Sequence, residues 1–428
     1  MAIGAVLEPF VIVSLLAGGT LLNRDQSRTS VPSQTPQSFR RPDPWQDIEY
    51  ALGGETPPGE RVSDDRKDWD KLRSASISSS STIWHDAEGN VASLSERRSR
   101  KLKFWKWERE VTTPNTEIHK DRLLSRLLRR YPFLVEVWYW ALIYWVYQLG
   151  RAFTAVTLQA STVDTAREHA LQVIHLEQRL GIFIEVDIQK WFLTYPLLMR
   201  WTNRAYSFIH IPGTILFLII LFYTTTTRPK RRLFEQAHGE ASSLKNWRTL
   251  LQPFGPDVYE RRRRTMAMCN LLAFIVFTFW PCMPPRLLSA ENYNGEHAGE
   301  AKSFGFVDTV HGADGDSSVW TTNRFCNQYA AMPSLHFGYS FLVGLTIATI
   351  PLRKSGYLGW RRLAIVCGGM VYPGIILTAI VATANHFILD AVAGATACII
   401  AWNLNDALLN LLPMEDYFLN ALRIHKPS

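Results

Sequence analysis

Five side chains in the C-terminal half of the sequence have types and spacing suited to phosphoryl chemistry. His386 and Asp390 stand four apart in Asn385-His386-Phe387-Ile388-Leu389-Asp390. On a helix that spacing puts them on one face, one turn apart. A carboxylate placed so can hold the imidazole in one tautomer and stabilise its cation, which leaves the other ring nitrogen as a nucleophile or base. His336 closes Ala331-Met332-Pro333-Ser334-Leu335-His336, where Ser334 is a good N-cap. The free amides and dipole of a helix start make an anion site. Arg286 ends Pro281-Cys282-Met283-Pro284-Pro285-Arg286. The prolines stop a helix for want of a backbone donor, and the guanidinium fork suits two-point contact with phosphate oxygens.

Each motif also has a plainer explanation. Pro-Pro-Arg after an apolar run is a helix stop with an interfacial anchor, and Ser334 with His336 is a helix start carrying an incidental histidine. The His386–Asp390 pair argues more strongly for function, because ionisable groups at membrane depth are costly and seldom kept without one.

The elements that must position these residues are apolar segments. A chain of 428 residues with 47% hydrophobic and 12% aromatic residues could, on averages, be a soluble two-domain protein. The distribution says otherwise, since the apolar residues fall in runs of roughly 18–20, long enough to cross a hydrocarbon core about 30 Å thick. Six such spans are expected: 132–149, 206–223, 265–280, 329–350, 363–383 and 387–402. Residues 163–180 place apolar side chains at near-helical spacing, with Glu177 among them, and predict an amphipathic helix on the surface or packed over the bundle. Glu136, near the start of the first span, either faces the bundle interior or sits in the headgroup zone, the second being favoured. His210 shares a face with Asn203 and Tyr206 at the start of the second span; a lone histidine near a helix end is usually structural.

Charge sets the orientation. The net charge of +8 comes from Lys and Arg clustered beside apolar segments, which speaks for membrane orientation and anionic lipid rather than nucleic acid. Basic segments precede the first span, lie between the second and third and between the fourth and fifth, and follow the sixth. That alternation makes the basic side cytosolic and puts Arg286, His336, His386 and Asp390 on the opposite face.

The rest of the chain divides accordingly. Residues 1–23 read as an uncleaved hydrophobic anchor, because the start carries no basic residue. Residues 24–130 read as a disordered polar and basic cytosolic region, poor in the apolar side chains that would offset ordering entropy. Its basic and aromatic run, Arg97 to Trp107, fits a lipid interface better than a nucleic acid, since no folded platform is visible. The transmembrane domain covers 131–405, and 406–428 is a cytosolic tail. The five cysteines show no CxxC pairing or metal spacing; Cys282 and Cys326 flank one loop, which leaves a disulfide open.

The second and third motifs, around His336 and His386–Asp390, resemble the signatures of the type-2 phosphatidic acid phosphatase (PAP2) superfamily. The first, around Arg286, looks most like the branch holding fungal inositol phosphorylceramide synthase. The likeness covers about 130–405 and implies an all-α integral membrane fold: a six-helix PAP2-like bundle with no cofactor. It further implies that His386 attacks phosphorus to form a phosphohistidine, that Asp390 orients and stabilises it, and that His336 protonates the leaving oxygen. Arg286 and Ser334 would bind phosphoryl oxygens. Two positions depart from the phosphatase pattern. Ala379 and Ile380 stand where it has Ser-Arg, and Leu335 stands where it has glycine. Both departures point toward the transferase branch and leave a phosphate ligand to be supplied, for which Arg324 and Lys302 in the lumenal loop are candidates. The substrates implied are a phospholipid donor, phosphatidylinositol, and a lipid-alcohol acceptor such as ceramide, in the Golgi or endoplasmic reticulum with a lumenal active site. The alternatives are a lipid phosphate phosphatase, a metalloenzyme using both histidines and Asp390 (disfavoured by Arg286 alongside), and a non-catalytic scaffold.

Overall fold

Proline and charge placement cut the apolar C-terminal two thirds into helices that run back and forth. The computed structural model describes residues 4–25, 97–104, 106–157, 160–231, 255–289, 297–310, 328–351 and 359–427. These belong to one unit, built from Met1–Ser27 and Arg97–Ser428, while Arg28–Glu96 falls in a second unit outside the described residues.

The helices are α1 (Gly4–Leu22), α2 (Leu123–Arg130), α3 (Phe133–Thr157), α4 (Ala160–Leu180) and α5 (Glu185–Leu193). A long helix α6 (Pro196–Arg231) follows, then α7 (Pro256–Phe279) and the short α8 (Pro285–Leu288) and α9 (Ala298–Ser303). The last four are α10 (Leu335–Ala348), α11 (Trp360–Ala382), α12 (Ile388–Leu404) and α13 (Leu412–Ala421). Packing joins α10 to α11, α12 and α7, and α7 in turn to α3 and α12. Among the described residues, three helices are long and apolar enough to cross a membrane: α6, α11, and the helix that continues α12 to Ala421. At 14 residues, α10 is about 21 Å long, shorter than a hydrocarbon core. The basic run Arg261–Arg264 lies in the first turns of α7.

The bundle has two chemically different ends. At one, the N-termini of α10 and α12 meet the C-termini of α7 and α11. At the other, Arg263 of α7 donates to both oxygens of Glu136 at 2.6 Å, and Arg262 lies 3.2 Å over the Trp402 ring. The Glu136 side chain thus faces the bundle interior, the alternative to the headgroup zone, buried in an ion pair with Arg263.

Residues 97–130 depart from the expected disorder. Strands β1 (Arg97–Phe104) and β2 (Trp107–Pro114) form an antiparallel hairpin, and α2 follows it. The partner that orders the hairpin is remote in sequence. Asp416 of α13 accepts from Arg100 Nε and Nη2 at 2.8 and 2.9 Å and from Thr113 Oγ1 at 2.8 Å. Asn410 exchanges two further hydrogen bonds with the Lys103 backbone. The chain is thus helical in its bundle, with one two-stranded ribbon added.

The amphipathic segment expected at 163–180 is α4. Its Ala166, Ala170, Val173 and Ile174 pack against Cys282, Met283, Leu288 and Phe387, covering the end of the bundle where the motifs meet.

Candidate functional site

The three motifs converge at one end of the bundle, and backbone hydrogen bonds stitch them together. Cys282 N donates to the Tyr329 carbonyl at 2.8 Å, and Ala331 N donates to the Cys282 carbonyl at 3.1 Å. Met283 N donates to the Ala166 carbonyl of α4, which seats the segment under its cover. Arg286 N donates to the Ala384 carbonyl, and Ser334 N to the Asp390 carbonyl. Each motif is thereby fixed to another.

Gly394 is what allows the last of these contacts. A Cβ there would lie 2.3 Å from the Ser334 carbonyl oxygen, so no side chain fits where α12 crosses the start of α10. The close crossing that glycine permits brings the His336 and His386 motifs together.

His386 is 6% exposed, and its Nδ1 lies 2.9 Å from the Ala331 carbonyl oxygen. A carbonyl can only accept, so Nδ1 carries the proton and Nε2 presents its lone pair. The sequence reading gave the tautomer to Asp390; the structure gives it to a backbone carbonyl. Asp390 still lies 3.5 Å from Nδ1, placed to stabilise a developing positive charge. Its Oδ2 accepts from Phe387 N at 2.9 Å, so the same carboxylate caps the helix that begins just after the histidine.

His336, on the first turn of α10, has its ring centroid 5.7 Å from that of His386. Tyr206 stacks on its other side at 4.5 Å, with His210 at 5.0 Å. His210 in turn places Nδ1 2.9 Å from the Tyr372 hydroxyl. So the residue left as structural on sequence grounds packs directly on His336. Ser334 behaves as expected: fully buried, it is the N-cap of α10 and its Oγ accepts from Phe337 N at 3.3 Å.

Arg286 points its fork between two acceptors. Nε donates to Asn385 Oδ1 and Nη1 to Asp308 Oδ2, both at 2.9 Å. Asp308 was not foreseen, because nothing local to its loop marks it. The loop is held from both sides. Gln189 of α5 brackets Val307 through its carbonyl and amide at 2.8 and 3.0 Å. Asn203 of α6 donates to the Thr309 carbonyl at 3.0 Å and accepts from the Thr309 hydroxyl at 3.2 Å. Of the two further phosphate ligands expected, Lys302 sits near the C-terminal end of α9. Arg324 lies outside the described residues, as does Cys326, and Cys282 is a buried free thiol. The loop residue seen on Arg286 is Asp308.

The cluster thus holds an imidazole with a free Nε2, a carboxylate behind it, a second imidazole facing it and a guanidinium on the same rim. That is equipment for attack on an electrophilic phosphorus with protonation of the leaving oxygen. Comparison with curated proteins and with solved structures gives no match. A family model described as the PAP2 superfamily matches residues 171–236 and 250–404, more than half of the chain, and spans α4 through α12 with every residue of the cluster. The chain belongs to the PAP2 superfamily, whose members act as lipid phosphatases or phosphotransferases.

Proposed function

We propose that the protein is a membrane phosphotransferase that moves a lipid headgroup through a phosphohistidine on His386. The observation that carries this is the state of His386: Nδ1 is held by the Ala331 carbonyl, which frees Nε2, with Asp390 behind and His336 facing it. Nε2 forms a bond to phosphorus as the bond from phosphorus to the lipid oxygen breaks. His336 gives that oxygen its proton and takes one from the incoming acceptor, which then attacks phosphorus and breaks the N–P bond. Arg286 binds phosphoryl oxygens, trading its contact with Asp308 for the substrate.

The transferase reading, with phosphatidylinositol as donor and a ceramide-type alcohol as acceptor, rests on the Pro284-Pro285-Arg286 motif and on the two departures at Leu335 and at Ala379 with Ile380. Hydrolysis is the second reading, in which water resolves the same intermediate; family membership favours it equally. Six spans, an N-terminal anchor, a lumenal site and a Golgi or endoplasmic reticulum location complete the proposal. They are supported by loop charge and by the position of the site at the bundle end opposite Arg261–Arg264.

Purified protein in detergent with EDTA, given labelled phosphatidylinositol with and without ceramide, tests the reading. Transfer to ceramide is expected, and it vanishes in His386→Ala. Phosphate release from phosphatidic acid in its place selects the phosphatase. A His386→Ala protein that still turns over defeats the mechanism.

A further inference from the structure

Two buried carboxyls outside the motifs hold the start of the helix that follows the nucleophile. Glu177, on the last turns of α4, and Glu185, at the first residue of α5, are both fully buried. Glu185 Oε1 accepts from Ile388 N at 3.0 Å, and Glu177 Oε1 accepts from Leu389 N at 2.8 Å. With Asp390 on Phe387 N, the N-cap amide and the first two amides of α12 are each taken by a different carboxyl group. These are amides that a helix cannot satisfy within itself. They begin at the residue after His386.

The other oxygens, Glu177 Oε2 and Glu185 Oε2, are buried without a hydrogen-bond partner among the described residues, on side chains that cap neighbouring amides. Carboxylates can only accept, so two of them buried side by side need a proton between them to satisfy those oxygens. The surroundings agree. Facing the pair are Asp390 on α12, itself beside His386, and the Cys282 thiol, which burial and the charges of Asp390 and Glu177 push well above its ordinary value. Three ionised carboxylates around one helix start would repel one another in a buried space. Burial first, then the neighbouring Glu185, push the Glu177 carboxyl up to about 9.

We propose that Glu177 and Glu185 are positioning residues for the transfer reaction, a carboxyl–carboxylate pair sharing one proton that holds the α12 start and so fixes Nε2 of His386 in line with phosphorus. The inference rests on His386 being the nucleophile. The shared proton makes the arrangement pH-sensitive. Its loss sets two negative charges side by side next to Asp390 and loosens the helix start. The sign follows from linkage. The native pair binds a proton that an unfolded glutamate has released, so stability falls as pH rises from the ordinary carboxylate range through about 9.

Glutamine separates this proposal from a merely structural role. In Glu177→Gln the side-chain carbonyl still accepts from Leu389 N, and the amide donates permanently to Glu185, copying the protonated state. The melting temperature and the rate of headgroup release from labelled phosphatidylinositol and phosphatidic acid are measured from pH 6 to 10. The proteins compared are wild type, Glu177→Gln, Glu177→Ala and His386→Ala. The expected result is that Glu177→Gln keeps turnover within about threefold of wild type at neutral pH. It also loses the fall in melting temperature and in kcat that wild type shows through about 9. Glu177→Ala drops kcat at least tenfold, with KM within about threefold. Glu177→Gln as impaired as Glu177→Ala, or a wild-type alkaline fall in melting temperature unchanged in Glu177→Gln, overturns the proposal. The melting curves decide even where neither lipid is turned over. Activity retained in His386→Ala defeats the nucleophile assignment instead, a separate failure.

Discussion

At the scale of single residues, the chemistry depends on which groups hold which atoms. His336 faces His386 across 5.7 Å, and in its proposed role of proton donor and acceptor His336→Gln should cost about 10²–10⁴ in turnover. Steady-state rates on labelled lipid check this, with KM expected to change little. Arg286 uses two of its three nitrogens on fixed acceptors, and lysine cannot reproduce that fork. Arg286→Lys should cost about 2 kcal/mol of transition-state binding, tenfold or more in kcat/KM. Asp308 occupies the guanidinium as a phosphate oxygen would. Asp308→Asn weakens that competitor and should lower KM for an anionic headgroup while leaving kcat near wild type. The motifs named His386, Asp390, His336, Ser334 and Arg286 from sequence alone, because each sits in a short local pattern. Asp308, the Ala331 carbonyl and Glu185 were illegible for the opposite reason: their roles arise from contacts across loops. Glu177 left a trace as a carboxylate among the apolar positions of α4.

At the scale of elements, the site exists because helix ends are fixed to one another. The crossing at Gly394 is the tightest of these, with 2.3 Å from a built Cβ to the Ser334 carbonyl. Gly394→Ala must push α12 away from α10 and should cost about 1–3 kcal/mol together with most of the activity. Gly368→Ala, which faces open space on α11, serves as the control. Thermal unfolding and turnover of the pair separate crossing geometry from helix propensity. The hairpin obeys another rule. Its strands carry polar residues on both faces, so alternation gave no signal, and what orders it is Asp416, some 300 residues on. Asp416→Ala removes the carboxylate that Arg100 and Thr113 share and should weaken hairpin docking by about 1.5–3 kcal/mol. Protease cleavage near residues 105–106 should accelerate, with turnover unchanged.

For the whole molecule, hydrophobic runs and loop charge were enough to expect an all-α membrane bundle with its motifs at one end. The helices bear out the helical class, and three of them have the length and apolarity to cross a membrane. Sequence reasoning overextended disorder into 97–130, because it weighs composition in place and cannot see a distant partner. It also favoured the headgroup zone over the bundle interior for Glu136, because the pairing with Arg263 joins residues 127 positions apart. The central claim is that a histidine at this bundle end carries the headgroup covalently. Its most direct test is rapid quenching of the purified protein with phosphatidylinositol labelled in phosphorus, followed by peptide mapping of the acid-labile adduct. The label should appear on the peptide containing His386 and be absent from His386→Ala. Turnover without any labelled His386, or label retained in His386→Ala, would contradict the account.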